Sequence, residues 1–117
     1  MTPAQPAIIS WIPADQGGRQ HAPAGPTYTT VARFEEDENW PQDAWTLVVK
    51  LLRPLGDGRY SLAEIAFLAD QGPAALLHRG SRFVLLEGPR RVAKGVVLAP
   101  STPVPEEMTE FESSLIG

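Results

Sequence analysis

The prolines of this chain fall between its apolar runs and not inside them. There are 12 among 117 residues, about twice the usual share. Proline breaks helices and is kept out of central strands. Its placement here argues against long helices and for short strands joined by turns. A chain of this length makes one ordinary domain, buries roughly two-thirds of its unfolded surface and needs no covalent staple.

The apolar runs supply the strands. Residues 7–13, AIISWIP, are short and apolar. Residues 28–34, YTTVARF, are rich in β-branched and aromatic side chains, which favour strands. Residues 44–53, AWTLVVKLLR, alternate most clearly. Trp45, Leu47, Val49 and Leu51 form an apolar face, and Thr46, Val48, Lys50 and Leu52 form the mixed one. A turn follows at PLGDGRY, where Gly56 and Gly58 can take positive φ. Residues 82–88 and 91–98 read as two strands around a tight turn at Gly88 and Pro89, with Phe83 and Leu85 facing inward. Trp45 and Phe83 are thereby assigned to the core.

Residues 60–72, YSLAEIAFLADQG, carry conflicting signals. Ser61 and Glu64 match a capping box, Gly72 suits a helix end, and Ala, Leu and Glu are good helix formers. Local chemistry alone predicts a helix. As a strand, the same residues would turn Ala63, Ile65 and Phe67 inward and Leu62, Glu64 and Ala66 outward. Five or six strands with few helix signals predict a small antiparallel barrel or sandwich.

Charge is segregated. Residues 1–99, expected to be one β-barrel domain, hold ten acids and ten bases. Residues 100–117 form an acidic tail with Glu106, Glu107, Glu110 and Glu112 and no base, which brings the net charge to −4. Three prolines open that tail. Met108, Phe111, Leu115 and Ile116 are then spaced for a short amphipathic helix. Between Glu35 and Asp43 there are five acids. Between Arg79 and Lys94 the five bases Arg79, Arg82, Arg90, Arg91 and Lys94 face Glu87 alone. Such segregation steers charged partners.

Reactive residues are scarce. The chain has no cysteine, which excludes disulfides and thiolate metal sites and fits a reducing compartment. His21 and His78 are far apart and match no zinc-ligand spacing. Ser81, in HRGSRF, does not sit in a nucleophile elbow. Arg19 beside Gly17 and Gly18 suggests an anion nest but matches no phosphate-loop pattern. The acidic run EEDEN lacks the spacing of a calcium loop. These observations predict no catalytic residue, no cofactor and no metal. No run approaches the ~20 apolar residues of a membrane helix, and the first residues lack a secretory pattern. The expectation is a soluble, cytoplasmic protein with no membrane partner.

Two stretches together resemble the C-terminal barrel, the third domain, of elongation factor Tu. IISWIPADQGGRQHAPAGPTYTTVARF is similar to the family's opening strand, its acidic-Gly-Gly-Arg loop and its second strand. GSRFVLLEGPRRVAKGVVL is similar to its closing hairpin through Gly80, Arg82, Phe83, Glu87, Gly88, Arg90, Val92, Gly95, Val96 and Val97. The resemblance spans about residues 7–98 and implies a stand-alone, six-stranded antiparallel Greek-key barrel in which residues 60–68 are strand. In that family the barrel is not a catalyst. It packs on a GTP-binding domain, helps hold aminoacyl-tRNA and contacts the nucleotide exchange factor. The chain departs from the pattern at Lys94, where the family has a small residue. It also departs after Tyr28, where Thr29, Thr30 and Val31 replace a basic segment.

The resulting expectation is a non-catalytic protein-binding module. Its surface would combine Gly17, Gly18, Arg19 and His21 with Arg90, Arg91 and Lys94, and its partner would be an unidentified protein. The alternative is an RNA- or tRNA-binding accessory protein that uses the basic stretch 79–94. Self-association through the tail is a further possibility.

Overall fold

A computed structural model describes residues 1–19, 21–38, 40, 44–56 and 58–99. Six strands follow one another: β1 (Gln5–Trp11), β2 (Thr27–Phe34), β3 (Trp45–Leu55), β4 (Tyr60–Phe67), β5 (Arg82–Glu87) and β6 (Arg90–Val97). Two single 3₁₀ turns, Ala14–Gln16 and Ala74–Leu76, lie in the connections. The tail from residue 100 onward, with its expected helix, lies outside the described residues.

The strands close into a barrel in the order β1-β4-β3-β2-β5-β6, every pair antiparallel. Strands β2, β3 and β4 form a meander. The β1–β4 and β2–β5 pairings link strands that are not consecutive, and these make the Greek-key crossings. Closure leaves no free sheet edge among the described residues. All six strands lie within a residue or two of the expected segments.

Residues 60–67 are strand. The helix that local signals predict is overturned, because pairing with β1 on one side and β3 on the other outweighs propensity. Ala63, Ile65 and Phe67 point into the core. Ser61 caps nothing: its Oγ accepts a 2.9 Å hydrogen bond from the Trp11 indole. Glu64 sits opposite Lys50 across the sheet. Gly72 lies against Phe67, where a Cβ would collide with the ring base.

The barrel interior is filled from every strand. Phe34 packs on Phe67 and Phe83 with ring centroids 5.5 and 5.0 Å apart, beside Ile9, Leu47, Val49, Ile65, Leu85 and Val97. Trp45 packs against this core from its margin. Gly95 is the cross-strand partner of Phe83, and a Cβ there would overlap the phenyl ring. Ile8, Leu55, Tyr60, Val96 and Leu98 form a second, smaller cluster with Leu62. Ile8 pairs with Leu62 on one side and Val96 on the other, on the outer face of the sheet.

Among the described residues, two β-bulges shape the barrel. One lies between Leu51 and Arg53. The other lies in the β5–β6 hairpin, where Leu85 pairs with Ala93 but Leu86 pairs with Arg91. The extra residue on β6 buries Val92 and Ala93 in succession. It also turns Arg91 and Lys94 outward together, although residues three apart in an unbroken strand face opposite ways.

Candidate functional site

The loop after β1 is built by its two glycines in different ways. Gly17 closes the 3₁₀ turn with φ of 89° and donates its N–H to the Ala14 carbonyl, a conformation glycine adopts without steric cost. Gly18 is buried against the Ile12 carbonyl, and a Cβ would overlap it. Its N–H donates to the Pro13 carbonyl at 2.9 Å, and the Arg19 N–H returns to Ile12 at 3.0 Å. The loop therefore folds back on the end of β1 and delivers Arg19 to the β5–β6 hairpin.

Glu87 receives it. One carboxylate oxygen of Glu87 accepts from both the Arg19 guanidinium and the Tyr28 hydroxyl. The other accepts from Arg90 at 2.9 Å. Arg19 also donates to the His21 carbonyl at 3.1 Å and lies over the Tyr28 ring, 5.4 Å from its centroid. Tyr28 in turn meets Trp11 edge-on at 5.9 Å. The hydrogen bond from Tyr28, followed by those from Arg19 and Arg90, holds the Glu87 carboxyl below the usual carboxylate range despite partial burial. Burial first, and then the bond to Glu87, raise the Tyr28 hydroxyl above its ordinary value. Cation, phenol and carboxylate together tie the loop, β2 and the β5–β6 turn into one unit. A shallow groove of about 470 Å³, lined by Ala14, Gly18, Arg19, His21 and Arg90, runs beside it.

The far side of the β5–β6 turn is different. Here β2, β5 and β6 present an outward face in two cross-strand rows. One row is Arg33, Val84 and Lys94, and the other is Val31, Leu86 and Arg91. A groove of about 450 Å³ opens on it. Val84 and Leu86 are its floor, Trp40 and Pro89 its walls, and Arg33 and Arg91 its cations, with Glu35 at the mouth. Among the described residues, Arg33, Arg91 and Lys94 form no ion pair.

The residues expected to form a surface thus divide. Gly17, Gly18, Arg19, His21 and Arg90 gather at the barrel end, where Arg19 and Arg90 share Glu87 as their ion-pair partner. Arg91 and Lys94 stand on the adjoining outer face. The basic stretch 79–94 disperses in the same way: Arg79 is in a turn, Arg82 faces outward on β5, and only part of the stretch reaches the groove. Sequence reasoning missed Arg33 and Trp40. Arg33 was visible as the outward cation of β2, but its neighbours Val84 and Lys94 lie about 50 to 60 residues further along the chain.

The other reactive residues are scattered. His78 pairs with Glu36 at 2.7 Å on the surface. Ser81 is buried directly before β5, its hydroxyl without a hydrogen-bond partner among the described residues. Among the described residues no three His, Asp or Glu side chains converge to hold a metal ion, and no helix is long and apolar enough to cross a membrane. No protein-family model and no curated protein matches the chain.

Proposed function

We propose that this chain is a non-catalytic protein-binding module, and that its docking surface is the basic face beside the β5–β6 turn. The observation that carries this reading is a groove lined by Arg33 and Arg91 with Val84, Leu86 and Glu35, extended along its row by Lys94, in which none of the three cations forms an ion pair among the described residues. Partnered charges mostly hold structure, whereas unpartnered ones on an apolar bed are free to meet an incoming anion. The surface continues over the turn into the end groove of Gly18, Arg19, His21 and Arg90. The Glu87 cluster keeps that edge rigid, and a preorganised surface loses less on binding. The resemblance to the third domain of elongation factor Tu, a barrel that docks on other proteins, supports the same reading. The partner it favours is an acidic protein surface.

Affinity capture from host lysate with the full chain, before and after ribonuclease, tests it. The Lys94→Glu and Arg91→Glu variants are expected to lose a protein that the native chain retains after ribonuclease. Retention of every partner by both variants would sink this surface.

A second reading has its own support. Trp40 stands beside Arg33 and Arg91, an arrangement that suits stacking on a base beside phosphate contacts. Binding to tRNA would then fall steeply as salt rises. A gel shift with no complex at low salt would dispose of it.

A further inference from the structure

We infer that the groove between Trp40 and Pro89 takes the C-terminal residue of a partner protein, its carboxylate between Arg33 and Arg91 and its apolar side chain on Val84 and Leu86. This rests on the protein-binding reading above and names the part of the partner that docks. The floor is a short stretch of the outer face of β5. Val84 and Leu86 stand two residues apart, about 7 Å along the strand. Trp40 comes from the connection that leaves β2 after Phe34, at the end of this face where β5 begins. Pro89 comes from the turn where β5 ends. The groove is thus bounded at both ends along the strand direction. A segment running through it would meet one of these two walls, whereas a chain end would not. A volume of about 450 Å³ is that of a small-ligand pocket, not of an extended interface.

Charge narrows the occupant further. Strands β2 and β6 flank β5, so Arg33 and Arg91 stand on opposite sides of the floor. They are two strand spacings, roughly 10 Å, apart across the sheet, and long side chains from both sides reach a ligand lying over β5. Guanidinium groups bind carboxylates through paired N–H donors. Glu35 lines the same groove, so the described lining sets two cations against one anion. That balance suits a single carboxylate and disfavours a run of acids or phosphates, which Glu35 repels. Glu35 is also an acceptor for a backbone N–H of the ligand. The groove therefore matches a carboxylate, an apolar group and an N–H held close together. A C-terminal residue carries all three on one Cα, and capture of such chain ends is a recurring mode of peptide recognition. An internal Asp or Glu carries its carboxylate on one residue and its apolar neighbour on another, with chain continuing on both sides. Lys94, opposite Val84 on β6, adds attraction for the incoming charge.

The probes are short peptides, Gly-Ser-Gly-Ser followed by Leu, Val or Phe, each made as the free acid and as the C-terminal amide. A further probe, Gly-Ser-Asp-Leu-Gly-Ser with both ends blocked, places the carboxylate inside the chain. Each is titrated into the isotope-labelled full chain while amide and indole signals are followed. At least one free acid is expected to shift Arg33, Val84, Leu86, Arg91 and the Trp40 indole. Amidation should weaken that binding about tenfold or more, the value of a hydrogen bond to a charged group. Arg33→Ala and Arg91→Ala should each weaken it about tenfold, with the signals of the buried core in their native positions. Equal binding of acid and amide would overturn the inference. So would equal binding of the internal carboxylate, shifts centred on the end groove of Arg19 and His21, or no shift with any free acid at millimolar concentration. The two proposals fail separately. If no free acid binds but Arg91→Glu abolishes partner capture, only this inference falls. If a free acid binds as expected and no protein is captured, the chemistry of the groove stands and the proposed function falls.

Discussion

Arg90 and Arg91 are neighbours with opposite surroundings. Arg90 is held by Glu87, which also binds Arg19 and Tyr28. Arg91 faces the other way, over an apolar groove, with no ion pair among the described residues. The bulge in β6 makes the difference, since it sets Arg91 on the same outward face as Lys94. One side of the turn is a closed set of charges that fixes a loop. The other is an open set. Net charge and a count of bases describe both sides alike, and only the pairing tells them apart.

Substitutions should separate the two sides sharply. The largest effect is expected from Gly18→Ala, which forces a methyl group into the Ile12 carbonyl and should cost about 3 kcal/mol, at the upper end for overpacking a tight site. Its denaturation midpoint checks this, and an unchanged midpoint would mean the loop is not held as described. Glu87→Ala comes next. It removes the acceptor of three donors and should cost about 2 kcal/mol, the range for hydrogen bonds to a charged group.

Acid should act on the closed side alone. The folded-state pKa of Glu87 is depressed, so its contribution is present above the ordinary carboxylate range and is lost as pH falls through that lowered value. Urea midpoints measured across the acid range should therefore drop less steeply for Glu87→Gln than for the native chain. Identical slopes would count against the cluster. The smallest effect belongs to the open side: Arg33→Ala and Lys94→Ala should each change stability by no more than about 0.5 kcal/mol, as surface substitutions do.

Much of the barrel was legible because alternation is local. The β3 face of Leu47 and Val49 and the β5 face of Phe83 and Leu85 could be read along a few residues, and each is buried. Residues 60–67 were harder. Ser61 and Glu64 imitate a helix start, and only pairing with β1 and β3 decides the matter. The candidate site was legible in part. Gly17, Gly18 and Arg19 stood out as a loop, and Arg90, Arg91 and Lys94 as a basic run. Their division into paired and unpaired groups was not readable. It depends on one extra residue in β6, and on Glu87 meeting Arg19 and Tyr28 from 68 and 59 residues away.

The distinction between a side that holds the fold and a side that binds can be tested in one comparison. An Arg91→Glu/Lys94→Glu chain is taken through urea denaturation and, in parallel, through affinity capture from ribonuclease-treated lysate. The account predicts stability within about 0.5 kcal/mol of the native chain together with loss of the captured protein. A variant of native stability that still captures the same partners would contradict it.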